Sequence, residues 1–353
     1  MNQAYLAGRG LASVLGPDLA TAVGTLASGG APSAPLNLPN GTAWPYRGID
    51  DTDGDWTARA RRIVQRVAAE SGALGGSRSG PLFVASSSLD IGLLEDHIEC
   101  YDSHASFADT VATWIDWRGP VFTISTACTS ALNALLSART LIRHGQADHA
   151  LVLGLELRNR VTPGGFAGMQ LLSPTSALPF GAQRNGLVLG EAVAALHLSS
   201  QPARWRIAGG ANVVDGRDPA GPVPQAVVAM CEQALADAAL QPHDIALIKP
   251  QAAGGVASDA TEALALRQVF APLPALVSLK AALGHTLGAA GAAELALLTA
   301  CLEAGVWPPV DYPQDAALAA PLASCAPAAR HLLASILGFG GGHSAVVLED
   351  CDA

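Results

Sequence analysis

Aromatic side chains make up only 5% of the 353 residues, although half of the chain is apolar. Alanine is the largest single part of the apolar share, which points to closely packed helices and not to a membrane protein. No apolar run is long and clean enough to span a bilayer, because the longest, from Ala289 onward, is broken by Glu294 and Glu303. Nor does a basic segment followed by an apolar stretch follow Met1-Asn2-Gln3-Ala4, so no secretory signal is expected. Cys100, Cys128, Cys231, Cys301, Cys325 and Cys351 lie far apart. They have neither the short paired spacing of a zinc site nor the density of a disulfide framework, so no metal is expected and a reduced, cytoplasmic protein is the simplest reading. Positive charge is in deficit, with 20 basic against 30 acidic residues and a net charge of −10. That balance argues against general nucleic-acid binding, but a local basic patch still allows an acidic protein partner to dock.

One cysteine stands in an informative place. Val121-Phe122-Thr123-Ile124 reads as an apolar, β-branched strand, Ser125-Thr126-Ala127 as a tight turn, and Thr129 onward as a helix ending at Gly145. Cys128 thus sits at a helix N-terminus, where partial positive charge and unpaired N–H groups favour thiolate over thiol. Such placement lowers a cysteine pKa from about 8.5 into the range of roughly 3.5–7.5. Cys128 is the candidate nucleophile.

The chain repeats itself once. Leu6-Ala7-Gly8 recurs as Ile207-Ala208-Gly209, and Pro81–Ser86 as Ile245–Pro250. The strand before Cys128 recurs as Ala275–Lys280, Ala150–Gly154 as Leu332–Ile336, and Ala192–Leu198 as Ser344–Glu349. Five pairs in one order indicate a duplicated α/β unit, with halves at 1–200 and 201–353 and short apolar strands buried on both faces. Helices are expected over Pro224–Leu240, over Asp259–Phe270 with Ser258-Asp259 as cap, and over Ala289–Ala304. The Pro-, Gly- and Asn-rich stretch from Gly29 to Asp55 reads as loop, anchored at Trp44-Pro45.

The place that Cys128 holds in the first half is held in the second by the run from Lys280 through Gly284-His285 to Gly288-Ala289-Ala290-Gly291 and Glu294. Equivalent turns of a duplicated fold face each other across a pseudo-twofold axis, so His285 is expected opposite Cys128 as base or electrophile. The cluster Gly338-Phe339-Gly340-Gly341-Gly342-His343 follows a strand, and its N–H groups can join that of Cys128 in an oxyanion hole.

Together these motifs resemble the β-ketoacyl-[acyl-carrier-protein] synthases, the condensing enzymes of the thiolase superfamily, over nearly the whole chain. Thr126-Ala127-Cys128-Thr129-Ser130 is similar to the nucleophile motif, and Lys280–Glu294 to the family's Lys…Gly-His…Gly-Ala-Ala-Gly…Glu stretch. Pro179-Phe180-Gly181 through Arg184-Asn185-Gly186 to Gly190-Glu191 resembles the middle segment, and Gly338-Phe339-Gly340-Gly341 the turn whose phenylalanine gates the acyl pocket. The opening Ala7-Gly8-Arg9-Gly10 with Leu15-Gly16 is also similar. The resemblance implies a thiolase-like fold, with two pseudo-twofold-related α/β halves in an αβαβα arrangement, usually dimeric. It implies acyl transfer to Cys128 and then decarboxylative Claisen condensation with malonyl carried on acyl carrier protein. No bound cofactor is implied; the carrier's phosphopantetheine arm brings the substrates. Cys128, His285 and Lys280 are then catalytic, Phe339 and Gly340 serve the oxyanion hole and gate, and Asp259 and Glu294 support them.

Departures from the family pattern matter as much. Elongating members carry a first histidine in a His-Gly-Thr-Gly-Thr loop, where this chain has Gln251-Ala252-Ala253-Gly254-Gly255. Gln251 therefore takes a catalytic histidine's place, and an amide donates hydrogen bonds but carries no positive charge. Gly181 replaces an aspartate, His343 an asparagine, and the segment between Ser88 and Cys128 is short. Three readings stay open: an altered condensing enzyme in a homodimer or heterodimer, a chain-length-factor-like partner of an active synthase, and a cysteine-dependent acyltransferase to a different acceptor.

Overall fold

A computed structural model describes residues 2–96, 106–218 and 221–353. Cys100 and part of the segment between Ser88 and Cys128 lie outside the described residues. The ten strands of the main sheet are β1 (Tyr5–Ser13), β2 (Leu82–Ala85), β3 (Val121–Ile124), β4 (His149–Glu156), β5 (Ala192–Ser199), β6 (Trp205–Val214), β7 (Leu247–Lys249), β8 (Ala275–Leu276), β9 (His331–Leu337) and β10 (Gly342–Asp350). Their spatial order is β8-β7-β9-β10-β6-β1-β5-β4-β2-β3. Read from the outer edges inward, it is 3-2-4-5-1 in one half and 8-7-9-10-6 in the other, the same order with every label raised by five. All five sequence pairs of the repeat thus fall on topologically equivalent strands. Within the sheet the halves join at β1 and β6, through the pairs Tyr5–Arg206 and Leu6–Trp205.

Six helices follow the same rule: α1 (Trp56–Glu70), α2 (Ser106–Trp114), α3 (Ser130–Arg143), α4 (Pro224–Ala238), α5 (Val256–Val269) and α6 (Ala290–Ala304). Strand alternation sorts the side chains into three apolar cores. Leu82 and Val84 of β2 pack outward with Ile63 and Val64 of α1 and Val111 of α2, while Phe83 and Ala85 turn inward. The inward core holds Leu132 and Leu135 of α3 together with Ala292, Leu295 and Ala296 of α6. The third core packs Val227 and Met230 of α4 and Leu266 of α5 against Leu333, Val347 and Ile248. Helix, sheet, helix pair, sheet, helix is the thiolase-like arrangement.

The central layer explains the alanine and glycine content. A Cβ on Gly291 would lie 2.7 Å from Leu132 Cγ and 3.0 Å from Leu132 N, and one on Gly154 would lie 3.1 Å from Ala289 Cα. Small residues let α3, α6 and β4 approach this closely.

Several expectations are corrected. Residues 29–55 are not all loop, because Ala34–Asn37 and Ala43–Arg47 pair with each other and, through the latter, with Leu189–Gly190. Helix α5 starts at Val256, so Ser258-Asp259 is not its cap. Strand β3 is an edge, not buried on both faces: Phe122 is 43% exposed. The stretch Leu287–Ala304 is apolar enough over 18 residues to cross a membrane by composition, but 78% of it is buried inside the fold as the central layer.

Replacing Gly291 with valine is expected to cost about 1–3 kcal/mol through overpacking, read as a lowered Tm. Gly24→Ala, at a helical position with nothing within 4 Å of the added Cβ, is expected to leave Tm unchanged or slightly raised.

Candidate active site

The turn after β3 is clasped by hydroxyls. Ser130 Oγ donates to Ala127 O at 2.6 Å and accepts from Thr126 N at 2.9 Å, while Thr129 Oγ1 donates to Thr126 O at 2.6 Å. Ala127 adopts a left-handed φ of 51° without being glycine, the kind of local strain that a tightly held turn sustains at a functional position. Cys128 follows, buried, two residues before α3 begins.

His285 arrives from the equivalent turn of the second half. Its N–H donates to Val188 O at 2.7 Å and its carbonyl accepts from Gly190 N at 3.1 Å. Gly284 before it takes φ +73°, and a Cβ there would stand 3.0 Å from the Leu189 carbonyl. This docking places His285 Nε2 3.2 Å from Cys128 Sγ, so the two turns meet. Gln251 Nε2 lies 3.4 Å from the same imidazole nitrogen.

Gln251 is placed by carboxylates on α5. Glu262 accepts from Gln251 N at 2.7 Å and Ala252 N at 2.8 Å, and Asp259 accepts from Ala253 N and Gly254 N at 3.1 Å each. Asp259 also accepts from Phe180 N at 2.9 Å, which ties in the middle segment. Four consecutive loop N–H groups are thereby held by acids one helical turn apart. Burial pushes Asp259 up to about 6 and Glu262 up to about 7, against the pull of these N–H bonds.

Beneath the site lies a buried ionic triad. The sequence holds two lysines in all, and both Lys249 and Lys280 bond to Glu294 with essentially no exposure. Burial opposes ionisation of Glu294, but the two ammonium groups outweigh it and hold the carboxyl below its ordinary value. Burial lowers Lys249 to about 8, with Glu294 opposing and Lys280 adding to the fall. The resemblance pointed to Lys280 and Glu294 but not to Lys249. A lysine at the end of an apolar strand, in a chain with only two, was the available signal.

The expected thiolate is not the resting form. Burial pushes the Cys128 thiol up to about 12; Lys280 and the N–H groups of Phe339 and Cys128 pull it down, and Glu156 pushes it up. Burial, then Lys280 and Lys249, hold His285 well below the ordinary imidazole range. The helix N-terminus does not outweigh desolvation, so a neutral thiol faces a neutral imidazole. Glu156, absent from the sequence reading, accepts from Ser87 Oγ at 2.6 Å and Gly288 N at 3.2 Å and braces the turn after His285.

Cys128, Gln251 and His285 line one cavity of about 450 Å³. Phe339 stacks on Phe166 in its lining, with ring centroids 5.3 Å apart, and Gly340 takes φ +80° in the turn just beyond. The N–H groups of Phe339 and Cys128 both act to lower the thiol's pKa, which makes them the candidate donors of an oxyanion hole. Glu191 lies away from the cavity, paired with buried Arg59 at 2.7 Å. His343 is buried in β10, and among the described residues neither ring nitrogen has a partner.

Residues 90–203 match the N-terminal domain of beta-ketoacyl synthases, and residues 206–311 match the C-terminal domain. The chain belongs to the beta-ketoacyl synthase family. It is 34% identical over 212 residues, 56% of its length, to lovastatin diketide synthase mokB of Monascus pilosus, and 33% identical over 216 residues, 57% of its length, to nodulation protein E of Rhizobium leguminosarum bv. trifolii. These matches span 8% and 53% of the two relatives, about half of their length or less. Among solved structures, the ketosynthase (ApeO) in complex with its chain length factor (ApeC) from Xenorhabdus doucetiae matches with a TM-score of 0.87 at 25% identity, over 99% of this chain and 98% of that one. The ishigamide ketosynthase/chain length factor shares the fold, with a TM-score of 0.85 at 21% identity over 99% of both chains.

Two measurements check this candidate site. Because alkylation proceeds through thiolate, the rate of Cys128 modification by iodoacetamide should climb with pH and show no plateau below about pH 10; a plateau near neutrality would mean a preformed thiolate. Glu294→Gln should cost about 3–5 kcal/mol in chemical denaturation by leaving buried ammonium groups unpaired, and replacing all three members with Met, Met and Leu should recover most of that loss.

Proposed function

We propose that this ketosynthase-family chain loads an acyl group onto Cys128 and condenses it with a malonyl unit, both delivered on the phosphopantetheine arm of acyl carrier protein. The observation that carries this reading is the convergence of Cys128 Sγ, His285 Nε2 and the Gln251 amide within 3.4 Å contacts at one cavity. Residues 1–200 would supply the nucleophile and 201–353 the imidazole.

In the loading step the sulfur attacks the thioester carbonyl, and the Phe339 and Cys128 N–H groups receive the developing oxyanion. The pantetheine sulfur leaves and takes up the proton given up by Cys128, so free thiol replaces thioester. In the second step the carboxylate of malonyl leaves as CO₂. Its bonding pair passes into an enolate whose oxygen faces His285 and Gln251. The enolate carbon then attacks the acyl-Cys128 carbonyl, and collapse expels the Cys128 sulfur, which takes up one proton from solvent to restore the thiol. A neutral amide supports the enolate less well than a second imidazole able to carry charge. Decarboxylation is therefore the weaker half-reaction, while loading needs only the sulfur and the oxyanion hole.

A second reading, a partner subunit that shapes the tunnel of an active ketosynthase, is favoured by one feature. Edge strand β3 leaves Phe122 exposed only a few residues before Cys128, where a second subunit can add its own edge strand. The ketosynthase/chain length factor pairs among the structural relatives are consistent with it.

Incubating the protein with acyl- and malonyl-carrier protein, alone and with a co-encoded synthase, separates these readings by intact mass and CO₂ release. We expect an acyl adduct that disappears in Cys128→Ala and slow CO₂ release without a partner. Gln251→His should raise that release. Absence of both adduct and CO₂ would leave the partner reading.

A further inference from the structure

The small sheet of the first half reaches one step beyond its three strands. Ala43–Arg47 pairs in parallel with Leu189–Gly190, and Leu189 forms a parallel bridge with His285. His285 is therefore a one-residue fourth member, held by Val188 O and Gly190 N. These backbone bonds fix where its Cα lies. They do not fix the residue before it, Gly284, whose φ of +73° lies in a region that glycine enters most freely.

The Arg47 side chain closes over that glycine. A Cβ on Gly284 would stand 3.0 Å from Arg47 Cγ, so the arginine stem lies against bare backbone. Beyond the stem, the guanidinium donates to Ala281 O at 2.9 Å and also to Ala31 O. Ala281 belongs to a one-turn helix, Lys280–Leu283, with Lys280 at its start and His285 two residues past its end. The last four carbonyls of any helix lack partners within it, and a basic side chain near that end supplies a donor. Burial holds the Arg47 guanidinium below its ordinary pKa, and among the described residues no acid offsets this. Arginine suits the place, because its planar fork presents donors in two directions at once, where lysine offers a compact charge on a flexible stem.

We infer that Arg47 is a positioning residue for His285: its fork ties Ala281 to the segment at Ala31, its stem presses on Gly284, and together they aim the imidazole at the Cys128 sulfur. A residue of the first half thereby holds the reactive turn of the second. Its bonds go to Ala31 and Ala281 and not to the turns that carry Cys128 and Phe339. The effect on CO₂ release rests on the condensing reading above; the placement of the imidazole does not.

Two variants test this. Arg47→Met keeps the stem and removes the fork, and Arg47→Lys keeps the charge on a single head. With nitrogen-15-labelled histidine, the His285 ring signals, assigned by their loss in His285→Gln, should shift and broaden in Arg47→Met. In Arg47→Lys they should lie closer to those of the unaltered protein. CO₂ release from malonyl-carrier protein should fall about 10²-fold in Arg47→Met, the scale of a displacement of about 1 Å at a reacting group, while the rate of acyl-adduct formation on Cys128 stays within about twofold. Arg47→Lys should recover part of that loss. Unchanged ring signals in Arg47→Met overturn the inference, and unchanged CO₂ release overturns its functional half. An equal fall in adduct formation and CO₂ release also overturns it, because that marks a general loosening of the fold. If the unaltered protein releases no CO₂ while the ring signals move as stated, the condensing reading fails and the placement of His285 by Arg47 stands.

Discussion

The contact between α3 and α6 across the central layer governs everything at the site. Gly291 lies so close to Leu132 that no side chain fits between them. Each helix carries a reactive turn at its N-terminal end, one with Cys128 and the other with His285. Because the two halves repeat the same strand order, fixing the helices against each other also fixes the turns. The 3.2 Å approach of sulfur and imidazole is a consequence of that packing. Gly288 extends the same logic: a Cβ there would lie 2.5 Å from Ser87 N and 2.7 Å from Glu156 Oε1, so the turn after His285 is pressed directly against the first half.

Electrostatics at the site are set by depth and not by the helix end alone. A helix N-terminus is worth about 0.3–1 kcal/mol to an anion at an exposed site and up to about 2 kcal/mol when partly buried. Desolvating a thiolate costs more than that, and the thiol stays protonated. The two lysines moderate this in a specific way. They share one carboxylate, so one positive charge remains uncompensated within the triad and bears on His285. Burial and these charges hold the imidazole well below its ordinary range. Gln251 adds a neutral amide 3.4 Å from it, beside a buried sulfur.

Much of this was legible in the sequence, for identifiable reasons. Glycine, alanine and cysteine in a strand–turn–helix context mark close approach, and the order of five paired segments marked the duplication. The meeting of Cys128 and His285 followed from those two signals together. Boundaries and edges were harder to read. Residues 34–37 and 43–47 pair with each other, and the latter also pairs with Leu189–Gly190; no local pattern announces a partner almost 150 positions away. Asp259 has the look of a helix cap, but its carboxylate turns back to hold a loop that Phe180 completes.

By itself the sequence determined the fold, the repeat and the types of residue that reach the site, since these depend on periodicity, side-chain size and backbone freedom. Tertiary structure decided the protonation of Cys128 and His285, the sharing of Glu294 by Lys249 and Lys280, and the exposure of β3. Each of these depends on how much water and which charges surround a group once the halves have packed, and distances of that kind are not encoded in spacing along a chain.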